Sequence, residues 1–266
     1  MDTLCLISRN RRRRSFIATK NTRIVGIIPA RWASSRFPGK PLHPLLGKPL
    51  LQHVFERASQ CCELDELVIA TDDDRISQLC EDIGARAIQT LEDHPSGTDR
   101  IAEAAASCEE ATHVINIQGD EPLLEPSLVD TLARALRDDD DLPMITAASP
   151  VEDPALINDP NVVKVVLNSN SDALYFSRST IPFRRGEVPE LPTYRHLGIY
   201  GYRVDFLNRF ISLPPSPLEQ TEGLEQLRAL EDGARINVHL TEHEAIGLDS
   251  PDQIPLIESL LTAAQT

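Results

Sequence analysis

The chain has 266 residues, 41% hydrophobic and 25% charged, which suits one sizeable α/β domain or two small ones. Its formal net charge is −15, and residues 1–23 hold seven of the 26 basic residues but only one of the 41 acidic ones. The remaining body is therefore strongly acidic, which argues against a nucleic-acid backbone as partner, and no apolar run approaches the ~18 residues of a membrane span.

Residues 1–23 are Arg-rich and poor in acids. The apolar patch from Leu4 to Ile7 is too short for a signal peptide, and the basic run follows it rather than precedes it. The segment reads as a disordered extension from an upstream start, with an organellar transit peptide as the other reading. The folded chain then spans 24–266. Five cysteines (Cys5, Cys61, Cys62, Cys80 and Cys108) are odd in number and lack a C-x-x-C spacing, so they read as reduced, mostly buried thiols.

Ile24, Val25, Ile27 and Ile28 form a near-continuous apolar run, the pattern of a central strand in a parallel sheet. Pro29 has no N–H to donate and is expected to end it. The following loop carries Arg31, Arg36 and Lys40 with Ser34, Ser35 and Gly39 between them. Cations, hydroxyls and a glycine at the C-terminal edge of a strand suit a polyphosphate; a solvated basic loop is the plainer alternative.

A helix is predicted over Pro49–Leu64, a strand over Leu67–Ala70, a helix from Asp73 or Asp74 to Gly84, and a strand over Arg86–Gln89. In D-H-P-S-G-T-D-R (Asp93–Arg100), Thr98 is the expected N-cap of a helix over Ile101–Cys108. His113–Ile117 is a second buried strand, followed by Gln118-Gly119-Asp120-Glu121-Pro122. An aspartate just past a buried strand points into the crevice at the sheet edge, where it fits a Mg²⁺ ligand or a turn-capping residue. A helix over Glu125–Arg137 and a strand over Pro143–Ser149 follow. Alternating strand and helix signals point to a doubly wound, Rossmann-like, mostly parallel sheet.

The pattern then changes. Val162–Leu167 and Ala173–Ser177 read as a hairpin, and Ile181–Pro192, rich in Pro and Gly, as an arm outside the main sheet. Glu219, Glu222 and Glu225 recur every third residue, as on one face of a single helix. Ile236–Leu240 alternates like a strand, and Asp249-Ser250-Pro251 enters a last helix over Asp252–Leu261.

The segments R-x4-R-x-P-G-K-P (Arg31–Pro41), D-H-x-S-G-T, Q-G-D-E-P, Y-F-S-R, R-H-L-G-I-Y-G-Y, L-E-x-x-E-x-L-E-Q-L-R and D-S-P stand in order over Ile24–Leu261. Together they resemble the sugar nucleotidyltransferases, most closely the cytidylyltransferases that activate 3-deoxy-manno-octulosonate (Kdo), an acid sugar of bacterial lipopolysaccharide. The resemblance implies a cytoplasmic homodimer that makes CMP-Kdo and pyrophosphate from CTP and Kdo with Mg²⁺. It implies a β-rich sugar-binding and dimerisation insertion within 151–218. It places Arg31, Arg36, Lys40, His94, Ser96 and Gly97 on the nucleotide, with Arg31, Lys40, Asp120 and Asp249 catalytic. Asp120 and Asp249 become the metal ligands, although Ser250 and Gln253 depart from the usual D-T-P-E-D. Gln118, Arg178, His196, Tyr200, Glu219 and Glu222 become sugar-site residues, while His196 also reads as a satisfied core histidine. A sialic-acid-activating relative is the nearest alternative, but its loop usually carries lysine and asparagine instead of R-F-P-G-K-P. A non-catalytic relative would not need both aspartates and Lys40. A dinucleotide-binding oxidoreductase would need a G-x-G-x-x-G after the first strand.

Overall fold

The computed structural model describes residues 22–33, 37–186 and 191–264, so Arg36 and nearly all of the N-terminal extension lie outside the described residues. The first half runs β1 (Ile24–Ala30), a short hairpin of β2 (Pro44–Leu45) and β3 (Lys48–Pro49), α1 (Leu50–Ala58), β4 (Glu66–Thr71), α2 (Asp74–Asp82), β5 (Arg86–Gln89), α3 (Gly97–Ala106), β6 (His113–Asn116) and α4 (Pro126–Asp138). The second half runs β7 (Met144–Val151), α5 (Pro154–Asn158), β8 (Lys164–Leu167), β9 (Ala173–Ser177), β10 (Thr193–Arg203), α6 (Val204–Ser212), α7 (Pro217–Glu222), α8 (Gln226–Glu231), β11 (Ile236–Leu240) and α9 (Ile254–Ala263).

Among the described residues the main sheet has the order β11-β7-β10-β6-β1-β4-β5, with the β8–β9 hairpin joined through β8 to β10. The pairs β1–β4, β1–β6, β4–β5 and β7–β11 are parallel. Strand β10 runs antiparallel between β6 and β7. Alternation along β1 sends Ile24 and Ile28 to the face covered by α1, α4 and α9, and Val25 and Ile27 to the face covered by α3, α6 and α8. All four side chains are fully buried, each contributing about 1.5–3 kcal/mol relative to exposure.

Strand β1 passes through the expected stop at Pro29 and pairs in register with β4 up to Ala30. Ile27 carbonyl accepts from Ile117 on the β6 side, so Pro29, two residues on, turns its missing N–H to the side where β6 has already ended. Helix α1 stops at Ala58, short of the expected Leu64. Asp130 accepts from the Cys62 and Glu63 N–H groups, and Arg137 donates to the Glu63 carbonyl, so tertiary hydrogen bonds hold this segment out of the helix. Cys80 and Cys108 are buried, Cys61 is half-buried and Cys62 is exposed. Ser96, not Thr98, caps α3: its Oγ accepts from the Thr98 and Asp99 N–H groups. The expected single helix through Glu219, Glu222 and Glu225 is two helices, broken at Gly223, which takes the left-handed conformation at φ 61°.

Candidate active site

The sheet order reverses between β1 and β6: the chain steps from β1 outward through β4 to β5, then returns to lay β6 on the other side of β1. In open α/β sheets the crevice at such a reversal, beyond the carboxyl ends of the strands, receives the ligand. Here the loops after β1, β5 and β6 converge on one cavity of about 260 Å³. Arg31 and Lys40 from the first loop, His94, Ser96 and Gly97 from the second, and Gln118, Gly119 and Asp120 from the third line it, joined by Asp249. Gly119 has no room for a side chain: a Cβ there would lie 2.7 Å from the Pro29 carbonyl oxygen.

Lys40 Nζ donates to Asp120 Oδ2 at 2.6 Å, bridging the β1 and β6 loops. Leu248 N–H donates to the Asp120 carbonyl at 2.9 Å, which brings the segment before Asp249 alongside. Gln253 accepts from the Asp249 and Ser250 N–H groups, so an amide supplies here the cap that the usual acid would. Burial pushes the neighbouring Glu121 carboxyl up to about 7, and the charges of Asp120 and Asp249 add to that rise. Two carboxylates in one concave, electrically crowded corner, beside cations suited to phosphate, fit Mg²⁺, which often takes only one or two protein carboxylates and completes its shell with phosphate and water.

The loop after β5 is braced from behind. His94 Nε2 lies 2.5 Å from Glu103 Oε2. Glu225 accepts from Ser96 Oγ at 2.9 Å and Thr98 Oγ1 at 2.6 Å, tying the S-G-T turn to the start of α8. Arg100 also lines the cavity; it is buried, pairs with Asp72 at 3.2 Å and donates to Thr90. Sequence reasoning assigned no role to Arg100, although a cation two residues past S-G-T, on the first turn of a helix facing the crevice, was the available signal.

The expected sugar-site residues fall into two groups. Gln118 lines the cavity and donates to the Gly198 carbonyl at 2.9 Å, linking the β6 loop to β10. On β10, His196 Nε2 is 2.9 Å from Thr146 Oγ1, and its ring packs against Phe176 and Tyr200. Burial holds this imidazole down to about 3 and raises the Tyr200 phenol well above its usual range. Arg178 does not reach the cavity lining; its guanidinium donates to the Glu222, Pro160 and Gly223 carbonyls. Glu222 in turn accepts from Ser177 Oγ and the Arg178 N–H. Glu219 pairs with Arg228 at 2.5 Å and closes a capping box with Ser216.

Residues 25–236 match the family model described as cytidylyltransferase. The chain is 48% identical over 242 residues to the 3-deoxy-manno-octulosonate cytidylyltransferase of Solibacter usitatus, covering 91% of this chain and 96% of that one. It is 50% identical over 242 residues to the protein of the same name from Syntrophobacter fumaroxidans, covering 90% and 97%. Its backbone matches a solved CMP:2-keto-3-deoxy-manno-octonic acid synthetase complexed with CTP, with TM-score 0.88, 43% identity, and coverage of 91% of this chain and 100% of that one. The chain is a nucleotidyltransferase of the cytidylyltransferase family and belongs to its 3-deoxy-manno-octulosonate branch.

Proposed function

We propose that this protein transfers CMP from CTP to Kdo and releases pyrophosphate, the step that activates the sugar for lipopolysaccharide. The observation that carries this reading is the convergence of Arg31, Lys40, the capped Ser96-Gly97 turn, Asp120 and Asp249 on one cavity at the sheet's reversal point. The anomeric oxygen of Kdo bonds to the α-phosphorus in line, the bond to the β-phosphate bridging oxygen breaks, and pyrophosphate leaves. Arg31 and Lys40 offset the charge that builds on the phosphates, and no protein nucleophile is required. His94, Ser96 and Gly97 hold the nucleotide end. Gln118, Arg178, His196, Tyr200, Glu219 and Glu222 serve the sugar end, directly or by holding its walls. Asp120 and Asp249 would hold Mg²⁺, whose chemistry there is to polarise the phosphate and neutralise the leaving group.

The protein is proposed to act in the cytoplasm as a homodimer. Phe183 is 87% exposed and Leu191 56% exposed, Arg184 donates to the Leu191 carbonyl, and burial against a second copy would remove these apolar side chains from water. Pyrophosphate release from CTP, measured with Kdo, with sialic acid and without sugar, tests the activity. Release is expected with Kdo and Mg²⁺; equal release with sialic acid overturns the sugar assignment.

A further inference from the structure

The two cations that reach the cavity from the β1 loop, Arg31 and Lys40, stand next in sequence to Trp32 and Gly39. Those two neighbours are in contact. The Gly39 N–H donates to the Trp32 carbonyl at 3.1 Å, and a Cβ on Gly39 would fall 2.7 Å from Trp32 Cη2. The indole therefore packs on the one residue of this turn that has no side chain to obstruct it. Gly39 also carries the left-handed φ of 71° from which the short turn Lys40–Leu42 starts.

Arg75, from the first turn of α2, completes the arrangement. Its guanidinium carbon lies 3.3 Å from the Trp32 ring centroid, van der Waals contact for a cation–π stack. The guanidinium is itself held by Asp73, the N-cap of α2, through Nε at 2.9 Å and Nη2 at 2.7 Å. A bidentate carboxylate fixes the plane of the fork as well as its position. The stack thus fastens the base of the β1 loop to the corner between β4 and α2, outside the cavity.

We propose that Arg75 is a positioning residue of the nucleotide site, acting through Trp32 to preset the backbone from which Arg31 and Lys40 project. The inference rests on the reading of this cavity as the CTP site. A loop held in its ligand-bound course before CTP arrives meets its ordering cost in folding rather than in binding. Loss of the stack should weaken CTP without touching the chemical step or the sugar.

Trp32 is the only tryptophan in the 266 residues, so intrinsic emission reports on this stack alone. In Arg75→Ala, the emission of the free protein should shift to the red. The KM for CTP should rise about two- to five-fold, as expected for one exposed cation–π contact. The kcat, the KM for Kdo and the Tm should stay at wild-type values, because Arg75 is exposed and lies outside both the cavity lining and the core. Arg75→Lys should recover part of the CTP affinity, since it keeps the cation and loses the flat fork. In a Trp32→Leu background, Arg75→Ala should add nothing further. The proposal is overturned by an unchanged KM for CTP, by an equal rise in the Trp32→Leu background, or by a loss that appears in kcat and Tm instead. Wild-type protein that releases no pyrophosphate from CTP would count against the reading of the cavity. Emission and calorimetric CTP binding would still judge the stack by itself.

Discussion

Lys40 and Asp120 meet at 2.6 Å across the loops that follow two adjacent parallel strands, β1 and β6. Both side chains line the cavity and are part-buried, 16% and 30% exposed, so the pair lies at the cavity wall and not in the hydrophobic core. Asp120→Asn is expected to lower turnover by on the order of a hundredfold at saturating Mg²⁺, with a Tm close to wild type. Pyrophosphate release near the wild-type rate would refute the metal assignment. His196 differs in kind, since burial holds its imidazole neutral down to about 3. A histidine depressed below its unfolded value of about 6.5 gives stability that is complete above that value and is lost as pH falls towards 3. The loss is at most about 1.4 kcal/mol per pH unit in that window. His196→Gln should therefore flatten the fall in denaturant-measured stability between pH 6.5 and 4. Burial also depresses His113, His239 and His243, so part of the slope persists; an unaltered slope would show that His196 titrates normally in the fold.

At the scale of elements, α7 and α8 show how a local break sets a long-range contact. Ser216 and Glu219 cap α7, Gly223 ends it at φ 61°, and the chain re-enters a helix with Glu225 aimed at Ser96 and Thr98. A continuous helix would carry Glu225 on the same face as Glu222, whereas the break lets Glu222 serve the β9 end and Glu225 the Ser96-Gly97-Thr98 turn. Gly223→Ala should cost about 1 kcal/mol of stability, a fall in Tm of about 2–4 °C for a chain of this size. Thermal denaturation checks it; a Tm equal to wild type would mean that alanine tolerates this turn without strain. The strands β5, β9 and β11 fall where their sequence patterns place them, because period-two burial and flanking turn residues are local signals. Strand β10 is not legible in the same way. Its sequence T-Y-R-H-L-G-I-Y-G-Y-R carries two glycines and a cluster of polar rings, and its register shifts between Leu197 and Tyr200. Its strand character comes from β6 and β7 on either side, which supply hydrogen-bond partners along most of its length.

For the whole molecule, the arm Ile181–Pro192 exposes two large apolar side chains among the described residues, Phe183 and Leu191. If a second copy covers it, Phe183→Glu should place a charge in the interface and shift the population from dimer towards monomer in sedimentation velocity, with secondary structure unchanged. Wild-type protein sedimenting as a monomer at micromolar concentration would dismiss the dimer proposal.

The sequence by itself determined the α/β class, the buried strand β1 and the residue types of the site, since apolar runs, glycines and charged loops are written locally. It also placed Arg31, Lys40, His94, Ser96, Gly97, Gln118, Asp120 and Asp249 as candidates, and all eight line one cavity. Only the tertiary structure decided what the remaining polar residues do. Arg178 spends its donors on three carbonyls, Glu219 goes to Arg228, and Arg100 enters the cavity wall. A side chain's partner depends on segments that the chain brings from far along its length. The Lys40–Asp120 contact joins residues 80 apart and the Thr98–Glu225 contact joins residues 127 apart. No local pattern of charge or hydrophobicity specifies such distances; the parallel pairing of β1 with β6 and the turn at Gly223 set them.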